Sequence, residues 1–226
     1  MTAAALVGAV RSMLRLDEDL SGFYSLAGAD PDLAWVCRGA GRLTRSPSVF
    51  EDVVKTVCST NCHWSATRRM VTALVEHLGE LAADHSGRAF PTPAAMAEAG
   101  EDFYTDVMRA GYRARSLHAI AQRVNAGDVA LEELALPDAV SDEDADARLR
   151  SLPGIGPYAC AHVGLMIGRY SRLILDSWTR PTYARLVGRQ QVADRTIERR
   201  FARYGRWAGL AFWLFLTRGW VTDEHG

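Results

Sequence analysis

Two glycines and an aspartate carry most of the chemistry legible in this chain. Gly154 and Gly156 flank Ile155 in Leu152-Pro153-Gly154-Ile155-Gly156-Pro157-Tyr158, and Asp176 follows about twenty residues later in Leu173-Ile174-Leu175-Asp176-Ser177-Trp178. Glycine reaches positive φ without a Cβ clash and lets another backbone come close. Proline suits the first position of a helix, where its missing N–H costs nothing. The stretch therefore reads as a turn between two helices, with unpaired N–H groups at the start of the second. Free donors and the positive end of the helix dipole coincide there, an arrangement suited to a phosphate. Asp176 has two readings by spacing alone. It caps the helix leading into Ser177–Arg189, or it stabilises a developing positive charge and orients water.

Two further motifs precede the glycines. Asn61 closes Cys58-Ser59-Thr60-Asn61, and Tyr112 sits in Gly111-Tyr112-Arg113-Ala114-Arg115. Read plainly, they are a turn asparagine and a part-buried tyrosine. Other combinations carry less. Cys62 and His63 are adjacent and do not face each other if helical. His77 and His85 lack companion ligands at metal spacing. Gly154-Ile155-Gly156 follows no strand, so it is not a dinucleotide fingerprint.

Helices must position these residues. Apolar spacing predicts helices at Leu6–Leu16, at Val49–Val57 and at Ala66–Leu81, the last with Met70, Leu74 and Leu78 on one stripe. Residues 17–32 read as mixed, with Pro31 opening a turn before Leu33–Val36. Ser46-Pro47 and Thr92-Pro93 mark helix starts, and Gly127 stops the helix that carries Leu117, Ile120, Ala121 and Val124. Acidic residues from Asp138 to Asp146 open the first hairpin helix, since carboxylates favour the dipole there. Arg180-Pro181 is expected to break the helix after Asp176. Thr196–Trp220 reads as closing helices broken near Gly205, with Trp207, Phe212, Trp213 and Phe215 in the core. Neither β-alternation nor an internal repeat is visible. The expected fold class is all-α.

With 226 residues, 48% of them hydrophobic and 23% charged, the chain has ample material for a core. Its net charge of −1 argues weakly against a nucleic-acid partner, so any DNA surface must be a local patch. Lys55 is the only lysine; arginine supplies the rest of the positive charge. No segment reads as a membrane span or a secretory leader, which makes a cytoplasmic setting the expectation. Cys37, Cys58, Cys62 and Cys160 read as buried, reduced thiols, with Cys58 and Cys62 as helix neighbours.

The stretch LPGIGPYACAHVGLM followed by Asp176 resembles the helix–hairpin–helix DNA glycosylase superfamily, over roughly residues 15–220. That resemblance implies a two-lobed helical fold with the active cleft between the lobes. One lobe would hold about 48–152, the other about 1–47 plus 153–226, with the hairpin at about 138–169. It further implies that the hairpin, through Gly154, Ile155 and Gly156, grips the backbone of lesion-bearing double-stranded DNA, and that Asp176 drives base excision. Asn61 is similar to an asparagine that fills the hole left by a flipped base. Tyr112 is similar to a wedge beside the orphan base, Arg113 to a donor to that base, and Arg115 to a phosphate contact.

Members that also nick the strand place a lysine where this chain has Tyr158, so lyase activity is not expected. The 3-methyladenine enzymes of the group have a tryptophan there, lining the base pocket. Tyr158, His162 and Trp178 are the pocket candidates, and alkylated purines are favoured over 8-oxoguanine. A catalytically inactive DNA-binding hairpin protein is the rival reading. No cofactor is expected, beyond a monovalent cation that the resemblance implies at the hairpin backbone. No cysteine follows Cys160, so no iron–sulfur cluster is expected. A monomer is expected.

Overall fold

The computed structural model describes residues 2–136 and 139–220. Asp138, expected to open the hairpin, lies outside them. The α-helices are α1 (Ala3–Met13), α2 (Ser21–Ala27), α3 (Val49–Ser59), α4 (Trp64–Leu78), α5 (Pro93–Glu98), α6 (Arg113–Asn125), α7 (Asp142–Arg150), α8 (Pro157–Ile167), α9 (Thr179–Leu186), α10 (Asp194–Phe201) and α11 (Ala208–Thr217). A lone antiparallel bridge, Leu81 to Arg88, is the only β-pairing among the described residues. No helix is long and apolar enough to cross a membrane among them.

The chain divides into two compact units, 48–163 and 1–47 with 164–226. The second boundary falls within α8 rather than at 152, because the hairpin is built onto the central unit. Leu149, Leu152 and Ile155 are buried, and the Cys160 thiol donates to Asp146 Oδ1 at 3.0 Å.

In the central unit, local chemistry sets the helix starts. The hydroxyls of Ser48, Thr92 and Ser141 accept from the backbone N–H groups of Glu51, Ala95 and Asp144. The Ser141 cap places the start of α7 at Asp142. Glu132 adds a second cap to α3, accepting from the N–H groups of Val49 at 3.0 Å and Phe50 at 3.2 Å. One face of α3 is core (Phe50, Val53, Val54, Val57), as are Met70 and Leu74 of α4 and Leu117 and Ile120 of α6. α4 starts at Trp64, two residues before the expected Ala66.

The other unit joins the two ends of the chain. Thr2 caps α1 through the Ala5 N–H, so this helix starts earlier than the expected Leu6. Helix α2 falls in a stretch read as mixed; its Phe23 and Ala27 are fully buried. Asp30 accepts from Tyr204 Oη and from Arg203. Asp32 accepts from Arg200 at 2.6 Å and Arg218 at 3.2 Å. α11 is apolar nearly all round and largely buried, and it is separated from the preceding turn at Gly205, as expected, by φ 52° and ψ −124°. Trp213 corrects one expectation: it is half-buried rather than core, and packs on Trp178 and Trp220.

Candidate active site and nucleic-acid interface

Asp176 is delivered by a short extended segment after α8. Gly209 of α11 allows that segment to lie flat against the helix. A Cβ there would come within 2.1 Å of Arg172 O, and its N–H donates to Tyr170 O at 2.6 Å. Tyr170 is buried, stacked on Trp207 at 5.4 Å, and donates to Glu18 at 2.7 Å. With the segment pinned, Asp176 begins α9. Its Oδ1 accepts from the N–H groups of Trp178 at 2.8 Å and Thr179 at 2.7 Å. The buried Thr179 hydroxyl returns an acceptor to the Asp176 N–H at 2.8 Å.

The carboxylate therefore is a cap, and a cap that leaves an oxygen over. Among the described residues Oδ2 makes no hydrogen bond, and Asp176 is only half-buried. One oxygen fixes orientation while the other is left without a hydrogen bond among the described residues. Thr179 was not singled out from sequence, although the Asp-x-x-Thr spacing of a reciprocal cap was there to see.

Pro181 does not break this helix, contrary to expectation. It is the third residue of α9, where an N–H has no intrahelical partner to lose. Its neighbour Arg180 forms a bidentate pair with Asp194, 2.7 and 2.9 Å. That hydrogen-bonded pair holds the Asp194 carboxyl below its ordinary range.

Trp178 belongs to an aromatic cluster beside Asp176, 5.8 Å from Trp213 and 6.0 Å from Trp220 between ring centres. The cluster was not legible because α11 presents no polar face against which Trp213 could be ranked. On α8, Tyr158 and His162 stack one turn apart at 5.7 Å and 28°. Both are half-buried.

The hairpin turns as its glycines require. Gly154 has φ +82°, and its ideal Cβ would sit 3.0 Å from Ser116. Ile155 is 6% exposed, so only its backbone can meet a ligand; its side chain anchors the turn. Gly156 stands in open space, with nothing within 4 Å of an added Cβ, and its N–H makes no hydrogen bond among the described residues. Helix α8 starts at Pro157, as expected. The Ile155 carbonyl likewise accepts no hydrogen bond there. It is the kind of oxygen a monovalent cation would use. No three His, Cys, Asp or Glu side chains gather as a metal site among the described residues.

The turn that holds Asn61 meets the one that holds Tyr112 through Thr60. Asn61 has φ +44°, and its exposed side chain makes no hydrogen bond among the described residues. Tyr112 is 68% exposed, its hydroxyl 3.5 Å from Thr60 Oγ1. Arg113 departs from its expected role. It is 7% exposed and donates inward to Thr60 O, to Thr60 Oγ1 at 3.3 Å and to Ala110 O at 3.4 Å, with its guanidinium 4.4 Å from the centre of the Tyr112 ring. Reaching an orphan base would require exchanging these bonds. Arg115 is exposed, with one 3.3 Å contact to Glu101.

The cysteines differ from expectation in two respects. Cys37 is exposed, and Cys62 lies in the turn after α3, where its thiol donates to Cys58 O at 3.1 Å. Burial pushes the Cys58 thiol up to about 12, so it stays neutral. Lys55 is paired with Glu51 and lies 5.7 Å from the Phe90 ring centre.

Residues 54–210 match the family model described as HhH-GPD superfamily base excision DNA repair protein. The chain belongs to that superfamily. Solved structures of HhH-GPD fold agree. An 8-oxoguanine glycosylase/lyase of Clostridium acetobutylicum, in complex with double-stranded DNA containing cytosine opposite 8-oxoguanine, superposes with TM-score 0.79 at 22% identity, over 99% of this chain and 77% of that one. A 3-methyladenine DNA glycosylase of Archaeoglobus fulgidus gives TM-score 0.71 at 22% identity, over 96% and 75%. A 3-methyladenine DNA glycosylase of Schizosaccharomyces pombe, in complex with abasic DNA, gives 0.66 at 20%, over 91% and 98%. At these identities the likeness is one of fold. No protein of curated function matches the sequence. Membership of the HhH-GPD superfamily makes this a base-excision repair protein of the DNA glycosylase type, with DNA as its partner.

Proposed function

We propose that the chain is a monofunctional DNA N-glycosylase that removes alkylated purines. One observation carries the reading: Asp176 is locked by Oδ1 while Oδ2 is left unbonded. As the C1′–N bond breaks, its electron pair leaves on the base and the sugar becomes oxocarbenium-like. A fixed carboxylate stabilises that charge. Water then bonds to C1′ and gives up a proton, to the carboxylate or to solvent. The products are an abasic site and a free base.

The absence of strand cleavage rests on Tyr158, which stands where a Schiff-base lysine would be needed. The sole lysine, Lys55, is engaged with Glu51 in α3. The substrate class rests on Tyr158 and His162. N-alkylation at N3 or N7 makes a purine cationic, and a cation over an aromatic face gains roughly 0.5–2 kcal/mol. Such a base is also a good leaving group, so little acid catalysis at the base is required. The Asn61 and Tyr112 turns favour a second reading, 8-oxoguanine excision, to which those two motifs bear the resemblance. They act on the void and the orphan base rather than on the lesion, which keeps alkylated purines first.

The test is release of 3-methyladenine and 7-methylguanine from methylated DNA, beside cleavage of an 8-oxoguanine duplex with and without alkali. Free alkylpurine, with strand breaks only after alkali, is the expected result. Release of 8-oxoguanine without alkylpurine would overturn the substrate, and breaks without alkali would overturn the monofunctional reading.

A further inference from the structure

Trp64 and Tyr112 are the two most exposed large apolar side chains among the described residues, at 71% and 68%. Tyr112 has an explanation as a wedge; Trp64 has had none. It is the first residue of α4 and comes three residues after Asn61. An indole so placed gains little from folding and much from being covered. Arg68, one turn on from Trp64, makes no hydrogen bond or ion pair among the described residues. Side chains four apart on a helix share a face. Arg68 and Arg69 line one open groove with Ser65 and Thr72, and Glu76 is the only acid in it. Arg69 Nη2 also donates to Arg109 O at 3.2 Å, tying α4 to the turn that carries Tyr112. On a chain of net charge −1, a pair of arginines beside an uncovered indole is a local patch suited to a polyanion that also offers flat rings.

We propose that Trp64 and Arg68 form a second arm of the DNA interface. The indole stacks on a base of the strand opposite the extruded nucleotide, and the guanidinium holds a phosphate of that same strand. The assignment rests on the base-extrusion reading above. It makes Trp64 a determinant of opposite-strand specificity, because stacking strength differs between purines and pyrimidines.

The experiment uses the full chain and a duplex bearing a tetrahydrofuran abasic analogue opposite 2-aminopurine, whose fluorescence falls when it is stacked. Binding of the wild type should quench the probe. Trp64→Ala should lose much of that quenching, Tyr112 keeping the rest, and weaken binding roughly ten-fold, while Trp64→Phe should restore most of both. Arg68→Ala should weaken binding and lower the salt slope by about one charge, leaving the quenching in place. A Trp64→Ala protein that quenches and binds like wild type would overturn the proposal alone. Equal affinity of the wild type for abasic and undamaged duplexes would instead overturn the base-extrusion reading, and this one with it. Melting curves of both variants, expected to match wild type because both side chains are exposed, exclude unfolding as the cause.

Discussion

Asp176 and Thr179 exchange hydrogen bonds across the first turn of α9. The carboxylate takes the Thr179 N–H at 2.7 Å, and the Thr179 hydroxyl takes the Asp176 N–H at 2.8 Å. A single reciprocal cap thus sets the direction of the carboxylate to which the proposed mechanism assigns the chemistry.

Asp176→Asn should keep that cap, because asparagine serves as well as aspartate at a helix start. Excision should nevertheless fall by roughly a hundredfold or more, since the transition-state charge loses its partner. DNA affinity should hold or rise. Thr179→Val removes only the hydroxyl and should lower single-turnover excision about ten-fold without changing Kd, with Thr179→Ser restoring it. Near-normal turnover of the asparagine variant would remove Asp176 from the mechanism.

The two hairpin glycines should separate stability from binding. Gly154→Ala forces a Cβ to positive φ and towards Ser116, costing about 1–3 kcal/mol in a denaturant melt. Gly156→Asp meets open space and should fold normally, yet weaken binding to every duplex alike. Equal stability losses for the two would mean that the turn is held otherwise than described.

Arg113 and Arg115 lie two residues apart and should behave oppositely. Arg113→Ala strips donors from the carbonyls of Thr60 and Ala110, at a cost of about 2–4 kcal/mol. Arg115→Ala should change stability by less than about 0.5 kcal/mol and reduce the salt slope of binding by about one. Were Arg113→Ala to keep full stability but lose discrimination between opposite bases, the guanidinium would be a base reader after all.

Acid and alkali should loosen the unit built from both chain ends at the same place. Burial opposes ionisation of Asp30. The Tyr204 hydroxyl, the Asp32 N–H and Arg203 outweigh that, holding its carboxyl below the usual range. Stability from this group is complete above the unfolded value of about 4 and is lost as pH falls through the lower folded value. Burial, then the bond to Asp30, pushes Tyr204 up to about 12. Its contribution is complete below about 10 and fades as pH rises towards that value. Tyr204→Phe should cost about 1–2 kcal/mol near neutrality and flatten both limbs of a plot of Tm against pH. Unchanged limbs would place the titrating groups elsewhere.

What could be read in advance was what acts over three or four residues. The helix start at Thr92-Pro93, the start at Pro157 and the stop at Gly127 all belong to that class, while the start marked at Ser46-Pro47 falls two residues later, on the Ser48 cap. The turn holding Asn61 belongs to that class too. Helix α2 escaped because seven residues give too short a period to stand out. Pro181 misled because its effect depends on which turn of the helix it occupies, a matter of one or two positions. The inward bonds of Arg113 were hidden for a different reason. A guanidinium reaches several ångströms in any direction, and neither its own neighbours nor its spacing says that Thr60, 53 residues earlier, is within its grasp.

The union of Asp30 with Arg203 and Tyr204 also has a consequence for how the protein is made. The partners lie 173 and 174 residues apart. At synthesis rates of about 5–20 residues per second, the first waits roughly ten to thirty seconds for the others. The stretch 48–163 is continuous and can complete itself meanwhile. Phe23, Leu33 and Val36 cannot; they stay uncovered until the last third of the chain arrives. A chain released after residue 163 would thus present a finished unit tethered to an adhesive N-terminal stretch, and holdase chaperones should bind such truncated chains at residues 20–36.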